Sequence, residues 1–116
     1  MYKLAFFIPQ SHLESVKAAV FASGAGRLGD YEACCFQTLG QGQYRALPGA
    51  QPHIGAIGTL EYVEEYRVEL VCEDHTIRAA IAALVDAHPY EEPAYDAWPL
   101  SDLDSLPPGL KREATG

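Results

Sequence analysis

The sequence predicts an α+β fold of the ferredoxin-like kind, β-α-β-β-α-β, in which one antiparallel sheet carries two helices on one face and a long hairpin arm joins β2 to β3. Three observations carry this. A phrase of strand, capping residue, histidine and helix occurs twice, each copy is followed by a further extended piece, and a long glycine-rich connection joins the two halves. At 116 residues and 12.6 kDa the chain holds one domain with one core, assigned to residues 1–100, and residues 101–116 form a flexible or draped tail.

The first phrase opens on "YKLAFFIP", a strand from about Tyr2 to Ile8 that Pro9 ends and that places Leu4, Phe6 and Ile8 on one face. "SHLESVKAAVFASG" follows as a helix. Ser11 and Glu14 make the S-x-x-E pattern of a capping box, Leu13, Val16 and Val20 form the apolar stripe, and Gly24 is the stop. "YEACCFQTL" is the next extended piece. In the second phrase, "EYVEEYRVELVCE" is a strand and "DHTIRAAIAALVDAHP" a helix, with Asp74 as cap, Ile77, Ala80, Ile81, Leu84 and Val85 as its stripe, and Pro89 beyond its end. "PAYDAWPL" closes the sheet.

Alternation in the third strand turns Tyr66, Val68, Leu70 and Cys72 toward the helices and Val63, Glu65, Arg67 and Glu69 away from them. The second sheet face is therefore polar and lacks a helical cover. The connection "GQGQYRALPGAQPHIGAIG", Gly40 to Gly58, exceeds the roughly 12–15 residues of an ordinary structureless loop. It is a hairpin arm or a functional loop, and Tyr44, Leu47 and Ile54 give it apolar groups suited to reaching another subunit.

Composition removes several function classes. A hydrophobic content of 48% is too high for a disordered chain, and no apolar run approaches the roughly 20 residues of a membrane-spanning helix. The N-terminal apolar run is short, ends in Pro9 and lacks a small-residue cleavage site, so a signal peptide is not expected and a cytoplasmic address is. A net charge of -8, with 8 Lys and Arg forming no stripe, argues against nucleic-acid binding. Cys34, Cys35 and Cys72 have neither the number nor the spacing of a disulfide framework or a zinc ribbon.

"GAGRLG" at Gly24 to Gly29 matches G-x-G-x-x-G, but it follows a helix and precedes a strand, the reverse of the dinucleotide-binding context. It reads as a helix stop and a turn. Cys34 and Cys35 are adjacent and point to opposite faces of any strand, so they read as thiols rather than as a pair of ligands. His12 and His75 lie near helix N-termini and read as exposed polar residues, since no H-x-x-x-H or H-E-x-x-H pattern concentrates ligands on one helix.

"AHPYEEPAYD", Ala87 to Asp96, is the densest chemistry in the chain. Pro89 and Pro93 make it a corner between helix and strand. His88, Glu91 and Glu92 could in addition supply part of a divalent-metal site, with Glu65 of the third strand, the long loop or a second subunit completing it. No nucleophile, base and orienting group accompany them, so no catalytic residue is assigned.

Taken in order, "GAGRLGDYEACCF", "GQGQY", "PHIGAIGTLEYVEEYRVE" and "AHPYEEPAYD" resemble the CutA-like domain of YqfO-type members of the Nif-three-like family. The resemblance runs from about Tyr2 to Leu100. It implies a CutA/PII-like version of the ferredoxin-like fold, assembled as a trimer with sheets facing inward and hairpins crossing between subunits. The family's dinuclear metal site belongs to the flanking Nif-three domain, whose motifs are absent here, so the resemblance implies no hydrolase activity. Cys34, the acidic strand pattern Glu61, Glu65, Arg67 and Glu69, and His88, Glu91, Glu92, Tyr95 and Asp96 stand at family-typical positions. The chain departs with Pro48-Gly49, where an acidic residue before glycine is usual, and with His53 in the Pro-x-Ile-Gly element.

The expected function is a non-enzymatic homo-oligomeric binding or regulatory module for a divalent metal ion or small ligand. Two alternatives stand beside it: an enzyme with a metal-assisted site between subunits that uses His88 as acid/base, and a domain that docks in trans on a Nif-three-like metalloprotein.

Overall fold

The computed structural model describes residues 1–109, and the part of the predicted tail at 110–116 lies outside them. Six elements follow in the order β1 (Tyr2–Pro9), α1 (Leu13–Ala22), β2 (Phe36–Arg45), β3 (Leu60–Cys72), α2 (Ile77–Ala87) and β4 (Tyr95–Pro99). The strands form one sheet in the order β2-β3-β1-β4, with every neighbouring pair antiparallel. This is the predicted ferredoxin-like arrangement. Among the described residues no helix is long and apolar enough to cross a membrane.

Period-two alternation on the strands and 3.6-residue periodicity on the helices meet in one core. Leu4, Phe6 and Ile8 of β1 and Val68, Leu70 and Cys72 of β3 pack against Val16 and Val20 of α1 and Ala80 and Leu84 of α2, none more than 2% exposed. Val85, assigned to the stripe from spacing, is instead 45% exposed, because Leu84 already occupies the centre of the helix face that meets the sheet.

Both helix starts differ from the sequence pattern. Gln10–His12 form a 3-10 turn, so His12 becomes the residue before α1, and the Ser11 side chain bonds to His12 Nδ1 (2.8 Å) in place of a capping box. At α2 the cap position falls to Thr76, because the Asp74 carboxylate is drawn 2.6 Å from the N-terminal ammonium of Met1. The stop after α1 is as expected: Gly24 has φ +102° and Gly26 φ +78°. At Gly26 a Cβ would meet the Phe21 ring at 2.7 Å, so glycine is required both by the backbone and by the close approach.

The long connection resolves as a hairpin arm. Strand β3 pairs with β1 only from Glu65 to Cys72, while its first five residues, Leu60 to Glu64, pair with β2 alone. Beyond the body of the sheet the two strands run on as a ribbon of about 17 Å. Residues 46–58 fold back at its tip, where Gly58 N–H donates to the Ala46 carbonyl. The radius of gyration, 18.1 Å, exceeds the roughly 13 Å of a compact domain of this length.

The end of α2 sets the opposite side of the site. Pro89 cannot continue the helix, and His88, only 7% exposed, turns its ring back into the body of the protein. The Tyr90 backbone N–H donates to His88 Nδ1 (3.1 Å), which leaves Nε2 as the protonated nitrogen that donates to the Phe7 carbonyl (2.6 Å). Burial pushes the His88 pKa down, the Phe7 bond opposes this, and His12 and His53 add to the lowering.

These contacts generate two expectations. Leu84→Ala should cost about 2–5 kcal/mol in chemical denaturation, whereas Val85→Ala should stay within about 1 kcal/mol; equal losses would contradict the core assignment. Because the folded His88 pKa lies below its unfolded value, the unfolded chain binds the extra proton first. Stability should fall as pH drops from about 6.5 toward the lowered folded value, and His88→Gln should remove that part of the pH dependence. His88→Ala should cost about 1–3 kcal/mol for each backbone group left without its partner.

Candidate functional site

A cavity of about 320 Å³ opens where the arm, the end of β1 and the α2–β4 corner approach one another. Each wall has a separate local cause. Strand β2 contributes Gln43 and Tyr44, β3 contributes Glu65, and β1 contributes Phe7. Pro52 and His53 come from the folded-back connection, and Tyr90, Glu91 and Glu92 come from the corner that His88 holds.

Two bonds strap the connection over the cavity. Tyr44 Oη donates to the Ile54 carbonyl, and the Gln51 backbone N–H donates to Glu91 Oε2 (2.8 Å). The second of these ties the arm to the corner, which are 40 residues apart in sequence. Aromatic rings then run along the wall: Tyr44 and Tyr90 have centroids 6.5 Å apart, Tyr90 and His53 6.1 Å, and His53 and His12 5.5 Å.

Glu65 lies at the floor. Its Oε2 accepts from Tyr90 Oη (3.2 Å), and its other oxygen sits over Gly42, where any Cβ would collide with it. Burial pushes the Glu65 pKa up, and the Tyr90 hydroxyl pulls it partly back. Burial and the Glu65 charge together raise the Tyr90 phenol, so it remains a donor across the ordinary pH range. Burial raises Tyr44 as well, with Glu61 and Glu65 acting in the same sense.

Of the residues singled out from sequence as metal ligands, Glu65, Glu91 and Glu92 line this one cavity. His88 stands behind it with both ring nitrogens engaged by backbone. Among the described residues no group of three or more His, Cys, Asp and Glu side chains converges to hold a metal ion. Cys34 and Cys35 precede β2, are half-buried and unpaired, and lie away from the cavity. Tyr44, His53 and Tyr90 are not legible as a group from sequence, since they come from three segments that only the arm's return and the Pro89 corner bring together.

No protein-family model matches the chain. It is 42% identical over 113 residues to the GTP cyclohydrolase 1 type 2 homolog of Bacillus subtilis strain 168, covering 97% of this chain and 30% of that one. It is 46% identical over 98 residues to the protein of the same name from Mycobacterium tuberculosis strain H37Rv, covering 84% and 26%. Among solved structures, the Bacillus cereus protein related to NIF3 superposes with TM-score 0.75 at 40% identity, over 87% of this chain and 26% of that one. CutA from Xylella fastidiosa gives TM-score 0.63 at 21% identity over 87% and 84%, and the PII-like CutA of Nostoc gives 0.64 at 16% over 91% and 86%. The last two likenesses are of fold. The chain spans between about a quarter and a third of the length of the curated relatives it matches. Its sequence is similar to one region of these longer proteins, and its fold is that of the CutA/PII-like structures.

Proposed function

We propose that the chain is a non-catalytic homo-oligomeric binding module, a trimer, whose arm reaches a neighbouring subunit and whose cavity takes a small ligand. The observation that carries this is the arm itself. The ribbon leaves Tyr62 57% exposed, the segment folded back at its tip leaves Leu47 70% exposed, and the edge strand β2 beside its base leaves Leu39 54% exposed, apolar surface that a second copy would bury. Three free thiols fit a reducing compartment, the cytoplasm.

A divalent ion is a second reading: three carboxylates line the one cavity, but among the described residues they do not converge on a single point, so the side chains would have to move to hold it. Glu65, Glu91 and Glu92 would supply its oxygens, and His88 would join only by giving up its backbone bonds. The enzyme alternative meets the same requirement, because a ring nitrogen that moves a substrate proton must first be freed. Docking on a Nif-three-like metalloprotein draws support from the relatives, in which the matching region is part of a longer chain; co-purification of the two proteins tests it.

Native mass spectrometry of untagged protein at micromolar concentration should give a trimeric mass, and Leu39→Glu combined with Tyr62→Glu should give a monomer. A monomeric wild type would contradict the proposal. Under the metal reading the wild type also carries the mass of an added divalent ion, and Glu65→Gln loses it.

A further inference from the structure

We infer that the cavity between the arm and the α2–β4 corner is a site for a small organic cation, an alkylammonium or guanidinium compound; this rests on the binding role proposed above and names its ligand class. Two kinds of wall converge there. Tyr44 and Tyr90, tilted by 57° with centroids 6.5 Å apart, offer aromatic faces whose quadrupoles attract a cation. Glu65, Glu91 and Glu92 line the same space, and among the described residues no Lys or Arg does. Negative potential is thus gathered between low-dielectric walls and has no basic side chain beside it to cancel it.

Size decides between classes of cation. A bare divalent ion needs several oxygens at about 2.0–2.6 Å, and such a set does not converge among the described residues. The volume, about 320 Å³, lies at the lower end of small-molecule sites, roughly 300–1,000 Å³. A cation of several heavy atoms fills it and meets ring faces and carboxylate together, while the apolar side of Phe7 and Pro52 receives its carbon atoms.

Glu65 is the recognition group. It is held by Tyr90 Oη at 3.2 Å, and only a glycine at 42 leaves room for its second oxygen. Its carboxylate is partly desolvated, a state that a bound positive charge relieves.

The test is a proton NMR titration of the full chain, following the Tyr44 and Tyr90 ring resonances, with tetramethylammonium, agmatine and the uncharged tert-butanol as probes. At least one cation should shift both rings saturably and bind at least tenfold more tightly than tert-butanol. Glu65→Gln, its fold checked by the amide spectrum, should weaken that binding at least tenfold. Gly42→Ala should weaken it as well, because it displaces the carboxylate without changing the charge. Equal binding of tert-butanol, unchanged binding in Glu65→Gln, or rings that respond to neither cation would overturn the inference. A native mass spectrum of the same sample separates the two ideas: silent rings on a trimer remove the cation site alone, whereas a monomer removes the proposed assembly.

Discussion

Pro89 ends α2, and the backbone geometry that follows depends on one imidazole that meets two separate backbone groups. Strand β1 donates its Phe7 N–H to the Ala94 carbonyl, and the Phe7 carbonyl takes its hydrogen from His88 Nε2 rather than from the strand. The other nitrogen of the same ring accepts the Tyr90 N–H. One neutral histidine therefore joins the helix end, the central strand and the corner. A buried group that satisfies two backbone partners is costly to lose, since each orphaned group forfeits about 1–3 kcal/mol.

The consequences pass outward from that ring. Tyr90 is placed so that its hydroxyl meets Glu65, and Glu91 so that it accepts the Gln51 amide from the returning arm. The cavity is thus the space left between two elements that the sheet alone would not bring together. Its acidity follows from sequence, but its walls follow from the corner. The same arrangement explains why the densest run of titratable residues in the chain serves both as punctuation and as one side of a candidate binding site.

The fold was legible because its signals are local and repeated. Alternation in β1 and β3 identified the core face correctly down to Leu4, Phe6, Ile8, Val68, Leu70 and Cys72. Helix starts were less legible: Ser11 and Asp74 have the chemistry of caps, yet His12 and the N-terminal ammonium compete for them, one by a neighbouring ring and one across 73 residues. The arm was visible as an over-long connection, but that Gly40 to Arg45 continue as strand depends on pairing with β3, a non-local contact. Glu91 and Glu92 stand out by the density of charge around His88 and Glu65 by its place on the outward face of the third strand, whereas Tyr44, His53 and Tyr90 come together only through tertiary contacts. The engagement of both His88 nitrogens was likewise invisible, because its partners are main-chain groups that any sequence would offer.

The most direct measurement of this account is the nitrogen-15 NMR spectrum of the His88 imidazole in the intact protein across the acid range. The account predicts a single neutral tautomer, proton on Nε2 and lone pair on Nδ1, that stays neutral through the pH at which exposed histidines protonate. A ring that exchanges between tautomers, or that protonates at the ordinary histidine pKa while the protein stays folded, would contradict it.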